Sequence, residues 1–570
     1  MKTEENLLTY ACEKFEKEEY EEALEAFILA YSKGYEREWI LENIYNCYMA
    51  GNEAEFRKAY EMRTNIEAVD YKDCTLDFIP YRNGEYYIYD KEKDAFLGLL
   101  SAYEIQTSKP DSIFENLEFS AIALALDWDI RSQADILAMS GQRKIYIICH
   151  DMKRYMSFWK VPELRICLKD ITVFSDYEAF QTYFHENTSV YLPMILCGSE
   201  EERKCLERIR EEEHQYRLTP QGRNTENVLL TIAIPTAHRG NLLLKRLENL
   251  LSMPYDSEIE IAVSKNGNDL YEEEYKQVDE IEDARLRYYD HGKELKVYQS
   301  FHYAVEMSCG KYVMLVSDED DVIIDALEHY LRLLDRNPEL CLVRARSTFE
   351  YLGITKREFG EKGLEAFKVM FLRQAYISGL IVRRKDFIEA DFLNELKGFT
   401  RNVFFMYYPH ECWCALLCRC GDALLEPEML ILEGEPAREK EEETGGVELF
   451  PSYSTYHARL DQLQGQIEFL KFMMEDDRAG IEAGLALVVK KSFLSFQLAR
   501  NSGYDSENYP YMVTKLMSDC IKALKEFSLN DEQEVRLLNI VKNCCLEALD
   551  LDIELRTRAV RQLESFDGIF

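Results

Sequence analysis

No apolar run in the chain approaches the roughly 20 residues that a membrane-spanning helix needs, so no transmembrane segment is expected. The opening stretch, MKTEENLLTYACEKFEKEEYEE, lacks the apolar core of a signal peptide and is polar and acidic throughout. A cytoplasmic setting is therefore expected. Basic residues are scarce: 68 Lys and Arg stand against 105 Asp and Glu, a formal net charge of -37. That deficit argues against nucleic-acid backbones and anionic membrane surfaces as partners. It leaves room for a phosphate-bearing small molecule, because a divalent cation reverses the sign locally. Zinc spacing is also missing. The sixteen cysteines are mostly single and set in apolar segments, as expected of reduced core residues. In CWCALLCRC, Cys412 to Cys420, no second CxxC or Cys/His pair completes a tetrahedral set.

With 570 residues, 47% of them hydrophobic, the chain can bury several ordinary cores. Residues 1–72 read as paired helices. In EEYEEALEAFILAYSKG, Tyr20, Ala23, Phe27 and Ala30 match the second half of a tetratricopeptide-like repeat, and YNCYMAGNEAEFRKAYE looks like a degraded second copy. A protein-binding role is open to this unit, as is a capping role. Residues 74–217 change pattern. GEYYIYDKEKDAFLGLL predicts a hairpin, and KIYIICHD, DITVFSD and SVYLPMILCG are short β-branched runs between helical segments. That alternation predicts a small α/β domain with a parallel sheet, without a glycine-rich phosphate loop. Tyr216 to Asn227 is polar, contains Pro and Gly, and reads as a linker.

The clearest architecture lies in 226–440. VLLTIAIPT, EIEIAVSKNG, RLRYYD and KYVMLVSD read as strands separated by helices such as LKVYQSFHYAVEMS. Such alternation requires right-handed crossovers and a mostly parallel sheet, with ligands beyond the carboxyl ends of the strands. Three of those ends are polar: Thr236 to Arg239, Ser264 to Asp269 and Ser317 to Asp321. Residues 453–570 read as helices, and the acidic stretch Glu433 to Gly446 as a loop.

The third polar end places four carboxylates in a row, Asp318, Glu319, Asp320 and Asp321, between a buried strand and an amphipathic helix. Adjacent acids repel unless a cation or water screens them. An EF-hand loop counted from Asp318 would need Gly and Glu where Ile323 and His329 stand. A solvated acidic turn and a metal site both remain, and Asp321 also suits the start of the following helix.

From Val228 to about Ala345, and more loosely to Pro436, these segments resemble in order the family 2 glycosyltransferases of the GT-A fold. TIAIPTAHR is similar to the opening strand, EIAVSKNG to the strand ending at the nucleotide base, ARLRYYDH to the third strand, and GKYVMLVSDEDD to the strand ending in Asp-x-Asp. The resemblance implies an α/β chain: a Rossmann-like GT-A transferase domain with an N-terminal helical unit, a small α/β domain and a C-terminal helical region. It implies that Asp318 lies near the ribose, that Asp320 and Asp318 hold Mn²⁺ or Mg²⁺, and that Pro235, Thr236, Arg239, Asn266 and Asp269 contact the donor. Lys265 departs from the family pattern, since many uridine-binding relatives carry Asp there; a lysine cannot accept a hydrogen bond from uracil N–H. YPHECWCALL resembles the segment that carries the base, so Glu411 is expected to deprotonate the acceptor, with His410 serving instead or orienting it. The implied function is inverting, metal-dependent transfer from a nucleotide sugar to a glycan, lipid-linked or protein hydroxyl in polysaccharide or glycoconjugate assembly. The alternative is a non-catalytic scaffold built on a degenerate transferase domain, with the N-terminal helices recruiting a protein partner.

Overall fold

The computed structural model describes residues 4–63, 69–102, 122–126, 144–169, 171–267, 271–348, 354–373, 376–434, 454–474, 477–501 and 503–549. They fall into two compact units, 1–216 and 217–570.

The first unit opens with helices α1 (Glu4–Glu16), α2 (Tyr20–Ser32), α3 (Arg37–Ile44) and α4 (Glu53–Glu61). Strands β1 (Leu76–Arg82), β2 (Glu85–Asp90) and β3 (Ala95–Ser101) form an antiparallel meander containing the expected hairpin. A second sheet, in the order β6-β5-β4-β7, is all parallel: β4 is Ile122–Leu126, β5 Ile145–Cys149, β6 Ile171–Phe174 and β7 Ile195–Cys197. The N-terminal helices do not form a separate solenoid. Ala23, Phe27 and Ala30 of α2 belong to one buried cluster with Phe78 and Ile88 of the meander and Ile145 and Trp159 beyond it. Aromatic edges stitch them together, with Tyr31 against Phe96 at 5.4 Å and Phe56 against Tyr86 at 6.0 Å. Hydrogen bonds cross the position near residue 73 where a boundary was expected: Tyr31 Oη meets Tyr89 Oη at 3.1 Å, and the Tyr45 hydroxyl donates to Asp77. Two stacked repeats cannot bury a continuous face alone; here the sheet covers it.

The second unit is built on a nine-stranded sheet with order β10-β9-β8-β11-β15-β13-β16-β12, and β14 paired on β16. Its strands are β8 (Leu230–Thr236), β9 (Ile259–Lys265), β10 (Leu286–Asp290), β11 (Tyr312–Leu315), β12 (Asp321–Val322), β13 (Leu340–Ser347), β14 (Glu358–Gly360), β15 (Leu380–Arg383) and β16 (Asp422–Leu432). β8 to β11 are mutually parallel, as the apolar runs predict, and β15 joins β11 antiparallel. Every residue of β8 and β9 is buried, which is why these strands read as continuous apolar runs rather than alternating ones. The expected linker is pinned rather than free. Arg217 is enclosed against Asp256 and Ser257, and Arg223 caps the carbonyls of Asp256 and Ile259.

Helices α5 (Gly240–Leu251), α6 (Val297–Glu306), α7 (Ile324–Arg336) and α8 (Pro409–Leu417) cover the sheet, followed by α9 (Tyr456–Met474), α10 (Arg478–Asn501), α11 (Tyr509–Leu524) and α12 (Asp531–Leu549). The boundary expected between 440 and 453 is not a structural one. Trp413, Phe404 and Leu425 share one buried cluster with Phe469, Phe493 and Leu516 of the C-terminal helices. None of the helices in the described residues is long and apolar enough to cross a membrane.

Candidate active site

Strand order decides where the site lies. From β8 the chain steps outward through β9 to β10, then returns to place β11 on the other side of β8. The crevice beyond the carboxyl ends of β8 and β11 is therefore the point where strand order reverses, the usual ligand position in open parallel sheets. Thr236 ends β8 and Asp318 follows β11, and they meet there: Thr236 Oγ1 donates to Asp318 Oδ2 at 2.7 Å. Arg239, at the start of α5, donates to Asp318 at 3.1 Å and Glu319 at 2.9 Å. Pro235 sits one residue inside the strand end, paired with Ser264 of β9.

Asp320 points to the other wall. Tyr376 Oη lies 2.7 Å from each of its carboxylate oxygens, the Ser378 hydroxyl donates to Oδ2, and the Gly434 N–H donates to Oδ1 at 2.9 Å. Ser378 also receives the Ser317 N–H at 2.8 Å, tying the loop after β11 to the segment leading into β15. Asp321 does not cap α7. Its side chain pairs with Arg246 of α5 at 2.6 Å, while Ile323 precedes the helix.

The remaining expected residues are distributed unevenly. Asn266 is spent on structure, since its amide exchanges hydrogen bonds with the backbone of Leu295 and is not turned to a ligand. Gly267 follows at φ +88°, a conformation that favours glycine. Asp269 lies outside the described residues. Lys265 reaches Asp290 at the end of β10, 2.7 Å away, over the ring of Tyr275. Burial tends to raise the Asp290 carboxyl, but Lys265 and the Gly292 N–H outweigh it and hold it low.

Glu411 and His410 begin α8 and are enclosed, 0% and 3% exposed. One Glu411 oxygen accepts from Arg344 of β13 at 2.6 Å and the other from the Leu372 N–H at 2.8 Å. Burial raises its carboxyl, with Arg344 and then Lys491 opposing. Glu411 is therefore in a closed ion pair with Arg344. The cysteines beside it, Cys412, Cys414 and Cys418, are buried, and burial pushes their thiols up.

Tyr376, Ser378, Gly434 and Arg344 were not singled out from the sequence. A signal existed for the first two. Tyr and Ser two residues apart, leading into a strand, project to one face of an extended segment.

Among the described residues no three His, Cys, Asp or Glu side chains converge into a ready-made metal cage. The donor set still suits a hard cation that takes most of its ligands from a diphosphate, since such sites use only one or two carboxylates. Burial raises the carboxyls of Asp318 and Glu319, with Arg239 opposing. Asp318 and Asp320 are the residues that fit such a cation.

Residues 231–392 match the family described as Glycosyl transferase family 2. Over this segment the chain is similar to the glycosyltransferases of that family. No curated protein matches the chain. Among solved structures, S. aureus TarS 1-349 in complex with UDP-GlcNAc is 11% identical, with 59% of this chain and 92% of that one covered and a TM-score of 0.37. The mannosyltransferase PcManGT from Pyrobaculum calidifontis, in complex with GDP-Man and Mn2+, is 13% identical over 60% of this chain and 93% of that one, with a TM-score of 0.31.

Proposed function

We propose that the chain transfers a sugar from a nucleotide-sugar donor to an acceptor hydroxyl, with inversion at the sugar carbon, using Mn²⁺ or Mg²⁺. One observation carries this reading: Asp318, Glu319 and Asp320 stand at the carboxyl end of β11, beside Thr236 and Arg239, where the strand order reverses. A departing nucleoside diphosphate is an anion, and a hard cation bound by carboxylates would supply the charge that lets it leave. Thr236 and Arg239 orient Asp318, while Tyr376, Ser378 and Gly434 hold Asp320 in one plane, so both carboxylates are set before a donor arrives. The wall formed by Lys265, Asp290 and Tyr275 faces the base and sets which nucleotide enters. A polysaccharide end, lipid-linked glycan or protein is the proposed class of acceptor.

A scaffold role for a degenerate domain is favoured by the enclosure of Glu411, which removes the expected base from the crevice. The two readings separate in one calorimetric series with UDP, GDP, CDP and dTDP, with Mn²⁺ and with chelator, beside Asp320→Ala. The expected outcome is Mn²⁺-dependent binding of one nucleotide, weakened at least ~10-fold in the variant, followed by hydrolysis of the matching nucleotide sugar. Binding without any turnover across acceptors supports the scaffold. No binding by a folded protein sinks the transferase reading and leaves a protein-interaction scaffold.

A further inference from the structure

Glu411 stands where the family resemblance puts the base, yet its surroundings assign it different work. Both carboxylate oxygens are engaged, one by Leu372 and one by Arg344, and both contacts lead to Tyr376 and so to Asp320. Oε2 accepts the N–H of Leu372, a buried leucine at φ +57°, a left-handed backbone that a side-chain-bearing residue adopts only when held. Oε1 accepts Arg344 Nη2, and the same guanidinium extends Nη1 to the carbonyl of Tyr376 at 2.9 Å. Residues 372 and 376 are thus fixed by a single carboxylate–guanidinium unit. Tyr376 in turn places its hydroxyl on both oxygens of Asp320, and Ser378, in the turn before β15, adds the second hydroxyl.

We propose that the Glu411–Arg344 pair is a positioning device for Asp320, acting through Leu372 and Tyr376, and that Glu411 is not the acceptor base. The inference rests on the donor-site reading above. The geometry has the properties such a device needs. Arg344 and Glu411 are 1% and 0% exposed, so the pair is unscreened by solvent and cannot exchange partners with water. Arg344 is on β13 and Glu411 on α8, so the pair fixes the segment against two rigid elements rather than against another loop. Lys491 of α10 also faces Glu411, and burial lowers its ammonium to about 8 against the opposing pull of that carboxylate. The C-terminal helices therefore wall off the side of the pair away from Arg344. A proton acceptor for a substrate hydroxyl needs a path to the substrate, and this carboxylate is surrounded by protein.

The positioning and base roles make opposite claims about metal-dependent binding. The test uses the full chain and the nucleoside diphosphate that the wild type binds with Mn²⁺, and reads the Mn²⁺ midpoint and nucleotide affinity calorimetrically for Glu411→Gln, Arg344→Lys and Tyr376→Phe. A positioning device predicts that each weakens Mn²⁺-dependent binding by roughly 10-fold, as partners behind a metal ligand commonly do. It also predicts that Glu411→Gln with Tyr376→Phe costs little more than either alone, because both act on Asp320. Should Glu411→Gln bind metal and nucleotide like the wild type yet lose turnover, Glu411 is the base and the proposal is overturned. A lower melting temperature with an unchanged Mn²⁺ midpoint overturns it too, leaving a purely structural ion pair. If Glu411→Gln does not fold, Arg344→Lys and Tyr376→Phe decide: the lysine keeps a charge for Glu411 but cannot span to the Tyr376 carbonyl. A wild type that binds no nucleotide overturns the donor-site reading itself, and this result is distinct from binding that the variants fail to change.

Discussion

Gly434 leaves β16 so close to the acidic loop that a Cβ there would lie 1.7 Å from the Glu319 carbonyl oxygen. The obstacle is backbone, not the end of a flexible side chain, so it cannot swing aside. Its N–H meanwhile donates to Asp320 and its neighbour Glu433 donates to Thr348 Oγ1, which fixes the chain at that approach. Gly434→Ala must therefore push the strand exit off Asp320. We expect a loss of ~1–3 kcal/mol in stability, the usual cost of overpacking, with Mn²⁺-dependent nucleotide binding weakened in parallel, both measurable on one purified variant. Binding unchanged from the wild type would show that the Gly434 N–H contributes nothing to the site. At this scale the acids themselves were legible, since four adjacent carboxylates demand an explanation from any reader. Their partners were not. Gly434 lies more than a hundred residues from Asp320 and Arg344 pairs across to Glu411, and no local spacing encodes such contacts.

Among elements, α6 shows how an amphipathic helix can carry a hidden titration. Its His302 packs with Phe387 at 5.2 Å and Trp413 at 6.3 Å, and Nδ1 has no hydrogen-bond partner among the described residues. Burial lowers the imidazole from 6.5 to about 4, with Asp391 opposing weakly. The sign follows from linkage: between those values the unfolded chain binds a proton that the folded one refuses. Stability from this residue is complete above pH 6.5 and falls as pH drops towards 4, by at most ~3 kcal/mol at ~1.4 kcal/mol per unit. Melting curves of the wild type and His302→Gln should converge as pH falls from 7 to 4.5. Parallel curves would mean the imidazole is already solvated. The elements themselves were readable where burial is two-sided, as in β8 and β9, because an unbroken apolar run bounded by polar ends has few other solutions. The segment from Tyr216 to Asn227 misled for the opposite reason. Its composition is that of a linker, yet Arg217 anchors it through the side chains of Asp256 and Ser257 and Arg223 through the carbonyls of Asp256 and Ile259, contacts that composition cannot reveal.

For the whole molecule, the decisive feature is where the cores end. α9 to α12 read as a region apart, because amphipathic helices advertise a buried face without naming what covers it. In the fold that face lies on the transferase domain. Asn402 donates to the Gly465 carbonyl at 3.1 Å, Arg459 reaches Tyr408 Oη at 2.8 Å, and Phe469 packs with Phe371 at 6.2 Å and Phe404 at 6.2 Å. A Cβ on Gly465 would stand 2.6 Å from Asn402 Oδ1, so the helix approaches as closely as a glycine allows. Removing the helices would uncover Phe404 and Phe371, which pack on Phe469, at ~1.5–3 kcal/mol for each large apolar side chain. It would also open the far side of the Glu411–Arg344 pair to water. Several such losses together are comparable with the ~5–15 kcal/mol that holds a domain together. A fragment of residues 217–450, which contains the entire stretch matching the glycosyltransferase family, is therefore expected to lack a cooperative melting transition, whereas residues 217–570 should fold and bind nucleotide without residues 1–216. Circular dichroism melts of the two fragments check this directly. A cooperative transition in the shorter one would make the C-terminal helices an appended domain, whereas its absence makes them part of the transferase core, so the functional domain is longer than its family match.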